Sequence, residues 1–261
     1  MATVSRISIA PVKGLGLVHP DAVALTADGV LENRRFHVVD ADGRRYNQLR
    51  NGALVRIRPE YDPVGNTLRL TFPDGAVAEG EIALGAAIET DFYGRPVTGR
   101  LVEGPWSDAL TAWAGRQLRL VQSAAGEALD RGRGHVSLVS EASLAELGRN
   151  AGAEGVDGRR FRMLFELAGC EPHEEDAWIG ERIQVGGALV TIRGDVGRCA
   201  ITTQNPDSGS PDLDTLRTIS GYRGFTTSAN GERHIPFGVF GEVVEPGDVT
   251  KGDTVAPAGS R

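Results

Sequence analysis

Lysine and cysteine are scarce in this chain of 261 residues. Only Lys13 and Lys251 are lysines among the 28 basic residues, and all the others are arginines. The two cysteines, Cys170 and Cys199, lie in unlike surroundings and lack the C-x-x-C spacing of zinc and redox motifs. So few thiols favour a reducing compartment over a disulfide framework, and they leave one thiol available for a chemical role.

Long apolar runs and a net positive charge are also missing. The longest apolar stretches, residues 82–88 and 237–240, are far shorter than the ~18–20 residues that span a bilayer. The N-terminus has no basic region followed by an apolar core, so we expect a cytoplasmic protein without a membrane partner. The formal charge of −7 argues against nucleic acid as a partner, because phosphate backbones require a basic face.

No common catalytic or nucleotide-binding motif occurs in the chain. A Walker loop, a G-x-G-x-x-G turn, an H-E-x-x-H helix and a G-x-S-x-G elbow are all absent from the sequence. The proportions of hydrophobic residues (40%) and charged residues (24%) are those of an ordinary globular protein. The 35 glycines favour short strands joined by tight turns.

The first 102 residues show the pattern of an all-β unit. Alternating residues between turn signals such as Asp28-Gly29 and Asp42-Gly43 predict short strands. The predicted strands cover residues 3–10, 22–25, 35–39, 44–49, 54–58, 67–72, 81–88 and 95–102. We therefore place one part of the molecule at residues 1–102 and a second at residues 103–261.

The second part combines strands with a few short helices. The clearest helix is predicted at residues 140–148, where Ser140 is the N-cap and Gly148 the stop. Shorter helices are predicted at residues 107–114, capped by Ser107, and at residues 211–219, and a linker is predicted at residues 123–134. Strands are predicted at residues 161–167, 182–185, 188–193 and 238–244. The predicted fold class is mostly β with a few short helices (α+β).

Cys199 is the strongest candidate for chemistry on residue type alone. It follows Gly197 and Arg198 at the end of a predicted strand, where a bend could expose the thiol and the arginine could favour the thiolate. A thiolate there could act as a nucleophile or as a ligand to a soft metal. The same sequence context also fits a buried, inert cysteine. Cys170 lies in an apolar stretch and is predicted to pack. The acidic run at residues 173–176 is predicted to be a solvated loop.

The ordered set of local segments resembles the molybdenum cofactor sulfurase C-terminal (MOSC) domain proteins. It is most similar to those with an N-terminal β-barrel, which include the mitochondrial amidoxime reducing component family. The most specific block, residues 198–209 with the sequence RCAITTQNPDSG, is similar to the family's "RCiltTvdPdTG". The supporting segments are APVKG at 10–14, NRRFHVVD at 33–40, VSEASLAEL at 139–147, RFR at 160–162, EEDAWIG at 174–180, LRTISGYR at 216–223 and VTKGDTV at 249–255.

The resemblance implies an N-terminal MOSC-type β-barrel at residues 1–102, a MOSC β-barrel domain at residues 103–261 and a bound molybdenum cofactor (molybdopterin). By the same resemblance Cys199 supplies the thiolate to molybdenum. The residues implied to bind the anionic pterin are Lys13, Arg34, Ser140, Arg162 and Arg198. Met163 and Leu164 stand where the family pattern has proline and asparagine, and Asn33 stands where it has aspartate.

Three functions remain open from the sequence. The first is a molybdenum-dependent oxidoreductase that reduces N-hydroxylated or related small molecules and takes electrons from a separate donor protein. The second is a molybdenum-free lyase or sulfur-handling enzyme with the same fold, in which Cys199 or Asp195 acts on a small anionic substrate. The third is a cofactor carrier without catalysis.

Overall fold

The computed structural model describes residues 1–124, 129, 135–228 and 231–259. Most of the predicted linker, residues 125–128 and 130–134, lies outside the described residues. The strands are β1 Ala2–Ile7, β2 Ala22–Leu25, β3 Phe36–Asp40, β4 Arg58–Asp62, β5 Thr67–Thr71, β6 Val77–Glu81, β7 Ala83–Phe92, β8 Arg95–Glu103, β9 Leu118–Ser123, β10 Val136–Ser140, β11 Phe165–Ala168, β12 Arg182–Val185, β13 Ala188–Gly197, β14 Thr226–Thr227, β15 Arg233–His234, β16 Pro236–Glu245, β17 Gly247–Thr250 and β18 Thr254–Pro257. The helices are α1 Trp106–Ala114, α2 Glu141–Ala151 and α3 Thr215–Arg223, with 3-10 helices at Gly52–Arg56, Gly158–Phe161, Glu174–Trp178 and Ala200–Thr203.

Seven strands form a closed barrel in the order β1-β11-β10-β16-β13-β12-β18. Only β10 and β11 run parallel, and the other pairs are antiparallel. Closure leaves no free sheet edge, and alternating residues fill the interior. This inner core includes Val4, Leu138, Leu167, Ile192 and Val239. The barrel confirms the predicted mostly-β fold class.

The N-terminal part contains two antiparallel sheets beside the barrel. One has the order β3-β9-β8-β7 and the other the order β4-β5-β6. Helix α1 packs on them through Trp106, whose indole Nε1 donates to the Leu68 carbonyl oxygen at 3.0 Å. The strand pairing does not separate at residue 102. Strand β1, before that residue, belongs to the barrel, and β9, after it, belongs to the N-terminal sheet. The division into domains at residues 102 and 103 stays a prediction.

Several predicted elements differ from the observed ones. Residues 54–58 are not a strand, because Asn51 caps a 3-10 helix by accepting a hydrogen bond from the Ala53 amide. Residues 44–49 are not a continuous strand, although Arg45 forms an isolated antiparallel bridge with Val39, and a turn begins at residue 48. The helix expected to stop at Gly148 continues to Ala151 and ends at Gly152, which has φ of +67°. Ser107 does not cap α1 but accepts a hydrogen bond from the Leu120 amide.

The short helix expected at residues 211–219 begins later, at Thr215, because the Asp214 side chain caps it by accepting from the Arg217 amide. Of the strand expected at residues 161–167, only residues 165–167 are in a strand, the short β11, because the 3-10 helix Gly158–Phe161 comes just before them. Among the residues that the structure describes, no helix is both long and apolar enough to cross a membrane.

The two parts touch through backbone as well as side chains. Gly52 and Gly209 approach so closely that a Cβ atom on either would overlap the carbonyl of the other. The Gln204 side-chain amide donates to the Gln48 carbonyl oxygen at 2.9 Å. These contacts fix the loop after Cys199 against the N-terminal part.

Candidate functional site

Cys199 lies at an exposed turn at one end of the barrel. It follows β13 and precedes the 3-10 helix Ala200–Thr203, and its backbone is extended with φ of −126°. The Cys199 carbonyl oxygen accepts hydrogen bonds from the amide and hydroxyl of Thr202, both at 3.1 Å. The turn is therefore anchored through its backbone while the thiol side faces solvent.

Cys170 differs from Cys199 in both burial and acidity. It is partly buried and packs against the barrel core, as predicted. Burial, reinforced by the charges of Glu174 and Glu175, raises the pKa of the Cys170 thiol to about 12. Because the thiolate is the reactive form, this raised pKa disfavours reaction of Cys170 at neutral pH.

Asp195 forms a side-chain cluster with two residues that the sequence did not single out. Its Oδ1 lies 2.5 Å from Nε2 of His234, and its Oδ2 accepts a hydrogen bond from the Thr226 hydroxyl at 2.8 Å. The same hydroxyl lies 3.0 Å from Nε2 of His234. The histidine ring also covers Gly197, where a Cβ would meet it at 3.1 Å. This cluster therefore sits on the strand end that leads to Cys199.

His234 and Thr226 reach this position because β14 pairs with β15 in a small two-stranded sheet. The sequence predicts His234 to be a structural or surface histidine, since it is isolated in sequence from other candidate residues. Asp195 and His234 are 39 residues apart, and the pairing of β13 with β16, in which Gly197 lies opposite Pro236, brings their segments together. No local motif contains that signal.

Arg34 and Arg162 form a direct bridge between the two parts. A guanidinium nitrogen of Arg34 donates to the Arg162 carbonyl oxygen at 3.0 Å, and Arg162 donates to the Leu15 carbonyl oxygen at 2.8 Å. Both arginines have left-handed backbones, with φ of +57° and +52°. Such conformations cost free energy in residues other than glycine and are retained where the surroundings impose them, often at functional sites.

The segment that carries Lys13 adjoins this arginine bridge. Its segment runs beside the one that carries Arg34, because the Lys13 amide donates to the Phe36 carbonyl oxygen and the Arg34 amide to the Ala10 carbonyl oxygen, both at 2.7 Å. Leu15, which binds Arg162, is two residues further on. The structure thus places Lys13, Arg34 and Arg162 on three adjoining segments.

The side chain of Arg198 makes hydrogen bonds that link the segments next to the cysteine turn. Its guanidinium donates to the Phe237 carbonyl oxygen at 2.8 Å, to the Phe161 carbonyl oxygen at 3.2 Å and to the Met163 sulfur at 2.8 Å. These contacts join the 3-10 helix Gly158–Phe161 to β16. The expected role of Arg198 beside the Cys199 thiolate stays a prediction.

Ser140 is fully buried, and the N-terminus of α2 already holds a carboxylate. The Ser140 hydroxyl accepts a hydrogen bond from the Ser143 amide at 3.0 Å. Oε1 of Glu175 accepts from the Ser140 amide at 3.2 Å and from the Ser143 hydroxyl at 2.7 Å. Burial raises the pKa of Glu175 despite these hydrogen bonds. The Ser140 amide is thus already bound to Glu175 and the Ser140 side chain is not exposed to an anion.

Arg162 also lines a cleft of about 760 Å³ between the N-terminal part and the barrel. This is within the size range of small-molecule sites in proteins. Among the residues that the structure describes, no cluster of three or more histidine, cysteine or acidic side chains is arranged to hold a metal ion.

Family models match nearly the whole chain. The MOSC N-terminal beta barrel domain matches residues 1–116, and the MOSC domain matches residues 126–256.

Two curated proteins are similar over most of this chain. Mitochondrial amidoxime-reducing component 1 from Xenopus laevis is 27% identical over 247 residues, which cover 83% of this chain and 71% of that protein. Molybdenum cofactor sulfurase from Drosophila grimshawi is 27% identical over 82% of this chain but only 30% of its own length.

Two solved structures are also similar at low identity. The YUAD protein from Bacillus subtilis is 14% identical, with a TM-score of 0.47 and coverage of 97% of this chain and 93% of that chain. YiiM from Geobacillus stearothermophilus is 14% identical, with a TM-score of 0.36 and coverage of 67% and 73%. These scores are too low to say anything about function. The family models, together with the observed barrel, establish that this chain belongs to the MOSC family and carries its N-terminal and MOSC domains.

Proposed function

We propose that this protein binds a molybdenum pterin cofactor and reduces N-hydroxylated or related small molecules. The observation that carries the proposal is the contact of Arg34 with Arg162, which brings together two cationic residues from the two parts of the chain, with Lys13 on an adjoining segment. The similarity to an amidoxime-reducing component supports the reaction class, and the similarity to a molybdenum cofactor sulfurase supports the cofactor.

The residues present fit such a cofactor in two places, at the molybdenum and at the pterin phosphate. A cysteine thiolate is the soft ligand that a molybdenum centre with dithiolene sulfurs accepts, and Cys199 is exposed at its turn. Lys13, Arg34 and Arg162 would bind the phosphate, since arginine pairs with phosphate through two parallel hydrogen bonds. Leu164 is fully buried, so a hydrogen bond expected from an asparagine at this position is replaced by packing.

When bound, the cofactor supplies the two-electron chemistry, and the chain positions and tunes it. Breaking an N–O bond by reduction consumes two electrons and two protons, forms an N–H bond and releases water. The electrons come from a separate donor protein. On this chain, Nε2 of His234 lies 2.5 Å from Oδ1 of Asp195, at the strand end that leads to Cys199, and the pair would hold a proton between them. The cluster therefore offers a proton-holding group on the Cys199 side of the barrel.

Elemental analysis of protein made in a molybdenum-replete host tests the proposal. We expect close to one molybdenum per chain and turnover of an N-hydroxylated substrate when an electron donor is supplied. Cys199→Ser should abolish turnover with the fold intact, since a hydroxyl is a poor soft-metal ligand. Cys170→Ser is the matched control and should keep turnover. Metal-free protein that is nevertheless active would refute the proposal, and loaded protein without turnover would indicate a carrier.

A second function is favoured by the cluster of Asp195, His234 and Thr226. A carboxylate paired with a histidine near an exposed thiol is an arrangement that supports acid–base or thiol chemistry without a metal. A molybdenum-free lyase or sulfur-handling enzyme would use it on a small anionic substrate. Activity in metal-free protein that is lost in Asp195→Asn would support this alternative.

A further inference from the structure

The cleft between the two parts has a strongly basic lining. Five arginines line it against two acidic residues, Glu60 and Asp207. The whole chain has a formal charge of −7, so this local excess of positive charge opposes the overall balance. The arginines are Arg56 and Arg58 on the N-terminal wall and Arg159, Arg160 and Arg162 on the barrel wall.

The barrel wall neutralises most of its own charge. Arg159 is bound by Asp157 at 2.6 Å and by Asp207 at 2.8 Å. Arg160 forms two hydrogen bonds to the carboxylate of Asp212, at 2.6 and 2.9 Å. These pairs hold the 3-10 helix Gly158–Phe161 in place, and they leave little positive charge there for a ligand.

The N-terminal wall is different, because Arg56 and Arg58 are both exposed and their side chains make no hydrogen bond or ion pair with any residue that the structure describes. Ile57 between them is fully buried, and its carbonyl oxygen accepts a hydrogen bond from the Gly16 amide at 2.9 Å. A Cβ on Gly16 would lie 2.9 Å from that oxygen, so the glycine allows the close approach. The backbone below the two arginines is therefore fixed while their side chains are available to the cleft.

We propose that this cleft is a second anion site, which binds a phosphorylated small molecule other than the pterin cofactor through Arg56 and Arg58. Two guanidinium groups on one wall suit a diphosphate, because each planar fork pairs with two phosphate oxygens. The cleft volume of about 760 Å³ holds a small molecule and not a nucleic acid duplex. None of the residues in the proposed cofactor site apart from Arg162 lines this cleft.

Calorimetric titration of the full chain with inorganic pyrophosphate tests the site. We expect saturable binding that weakens at high salt, and a loss of about tenfold or more in affinity in the double variant Arg56→Gln/Arg58→Gln. The matched control is Arg182→Gln/Arg217→Gln, which removes the same charge from exposed arginines that do not line the cleft. Equal affinity in wild type and the Arg56 and Arg58 double variant would overturn the proposal, as would the absence of binding to wild type.

Two further measurements separate the ligand classes and the two sites. Succinate, a dicarboxylate, should bind more weakly than pyrophosphate, and succinate binding of equal strength would overturn the assignment to phosphate. The Arg56 and Arg58 double variant should keep the molybdenum content of wild type. If this double variant loses molybdenum as well as pyrophosphate binding, the cleft holds the cofactor's own phosphate, and the proposal of a separate site is overturned. Because the titration uses the protein as purified, its result stands even if no molybdenum is found.

Discussion

Acid should destabilise this protein through one buried histidine. His37 on β3 is 2% exposed, and its ring nitrogens lie 3.1 Å from the hydroxyls of Ser123 and Thr90. Burial, helped by the positive charges of Lys13 and Arg45, lowers the pKa of His37 from 6.5 to about 3. The folded protein therefore keeps this ring neutral at pH values where the unfolded chain protonates it.

The sign and the size of the effect follow from proton linkage. Below pH 6.5 the unfolded state binds a proton that the folded state does not, so the free energy of unfolding falls with pH until about pH 3. Between pH 7 and about pH 4.5 this one group lowers the free energy of unfolding by about 2.5 kcal/mol, at 1.36 kcal/mol per pKa unit. For a domain of marginal stability this is a large fraction of the total.

The assay is urea denaturation of wild type and His37→Gln at both pH values. Glutamine does not titrate but can still hydrogen-bond to one of the two hydroxyls, and all other titrating groups are common to the two proteins. We expect wild type to lose about 2.5 kcal/mol more than the variant on going to about pH 4.5. Equal losses would refute the reasoning. As an independent check, Lys13→Met should raise the pKa of His37 measured by NMR, since the lysine charge helps to lower it.

Two other predictions concern the thiols and the contact between the parts. Iodoacetamide at neutral pH should label Cys199, which is exposed, and leave Cys170 unlabelled in the folded protein, with mass spectrometry as the readout. Equal labelling of the two cysteines would contradict the conclusion that only Cys199 has an accessible, reactive thiol. Gly52→Ala should lower the free energy of unfolding by about 1–3 kcal/mol, because its methyl group would overlap the Gly209 carbonyl. Gly221→Ala, in helix α3 with no atom within 4 Å of the new methyl, is the control and should be neutral or stabilising.

The predictable parts of this fold are those with a local cause. Ser140 could be identified as an N-cap because its hydroxyl accepts from an amide three residues ahead. The end of the same helix could not be identified from the sequence. Two glycines follow the apolar positions, and it is Gly152, with its left-handed backbone, that ends the helix, whereas Gly148 is a buried helical residue. The strand expected at residues 54–58 failed for a similar reason, because Asn51 starts a 3-10 helix there.

The candidate site shows the same limit more sharply. Cys199 and the cationic residues could be named from their motifs, but the geometry that joins them depends on backbone carbonyls that no motif contains, as in the contact from Arg34 to Arg162. The pairing of Asp195 with His234 depends on strand register. The unpaired state of Arg56 and Arg58 also depends on which acids fold near them, and so it could be recognised only in the structure.

The position of β1 in the barrel has a consequence for how the chain is made. This strand, Ala2–Ile7, lies between β11 and β18, whose residues follow it by more than 150 positions. During synthesis the first strand therefore leaves the ribosome long before either neighbour exists. Its edge toward β11 stays open until Phe165–Ala168 is translated, and its edge toward β18 until Thr254–Pro257 is translated. Barrel closure therefore has to wait for this last barrel strand, and we expect nascent chains shorter than about 250 residues to depend on chaperones to protect β1.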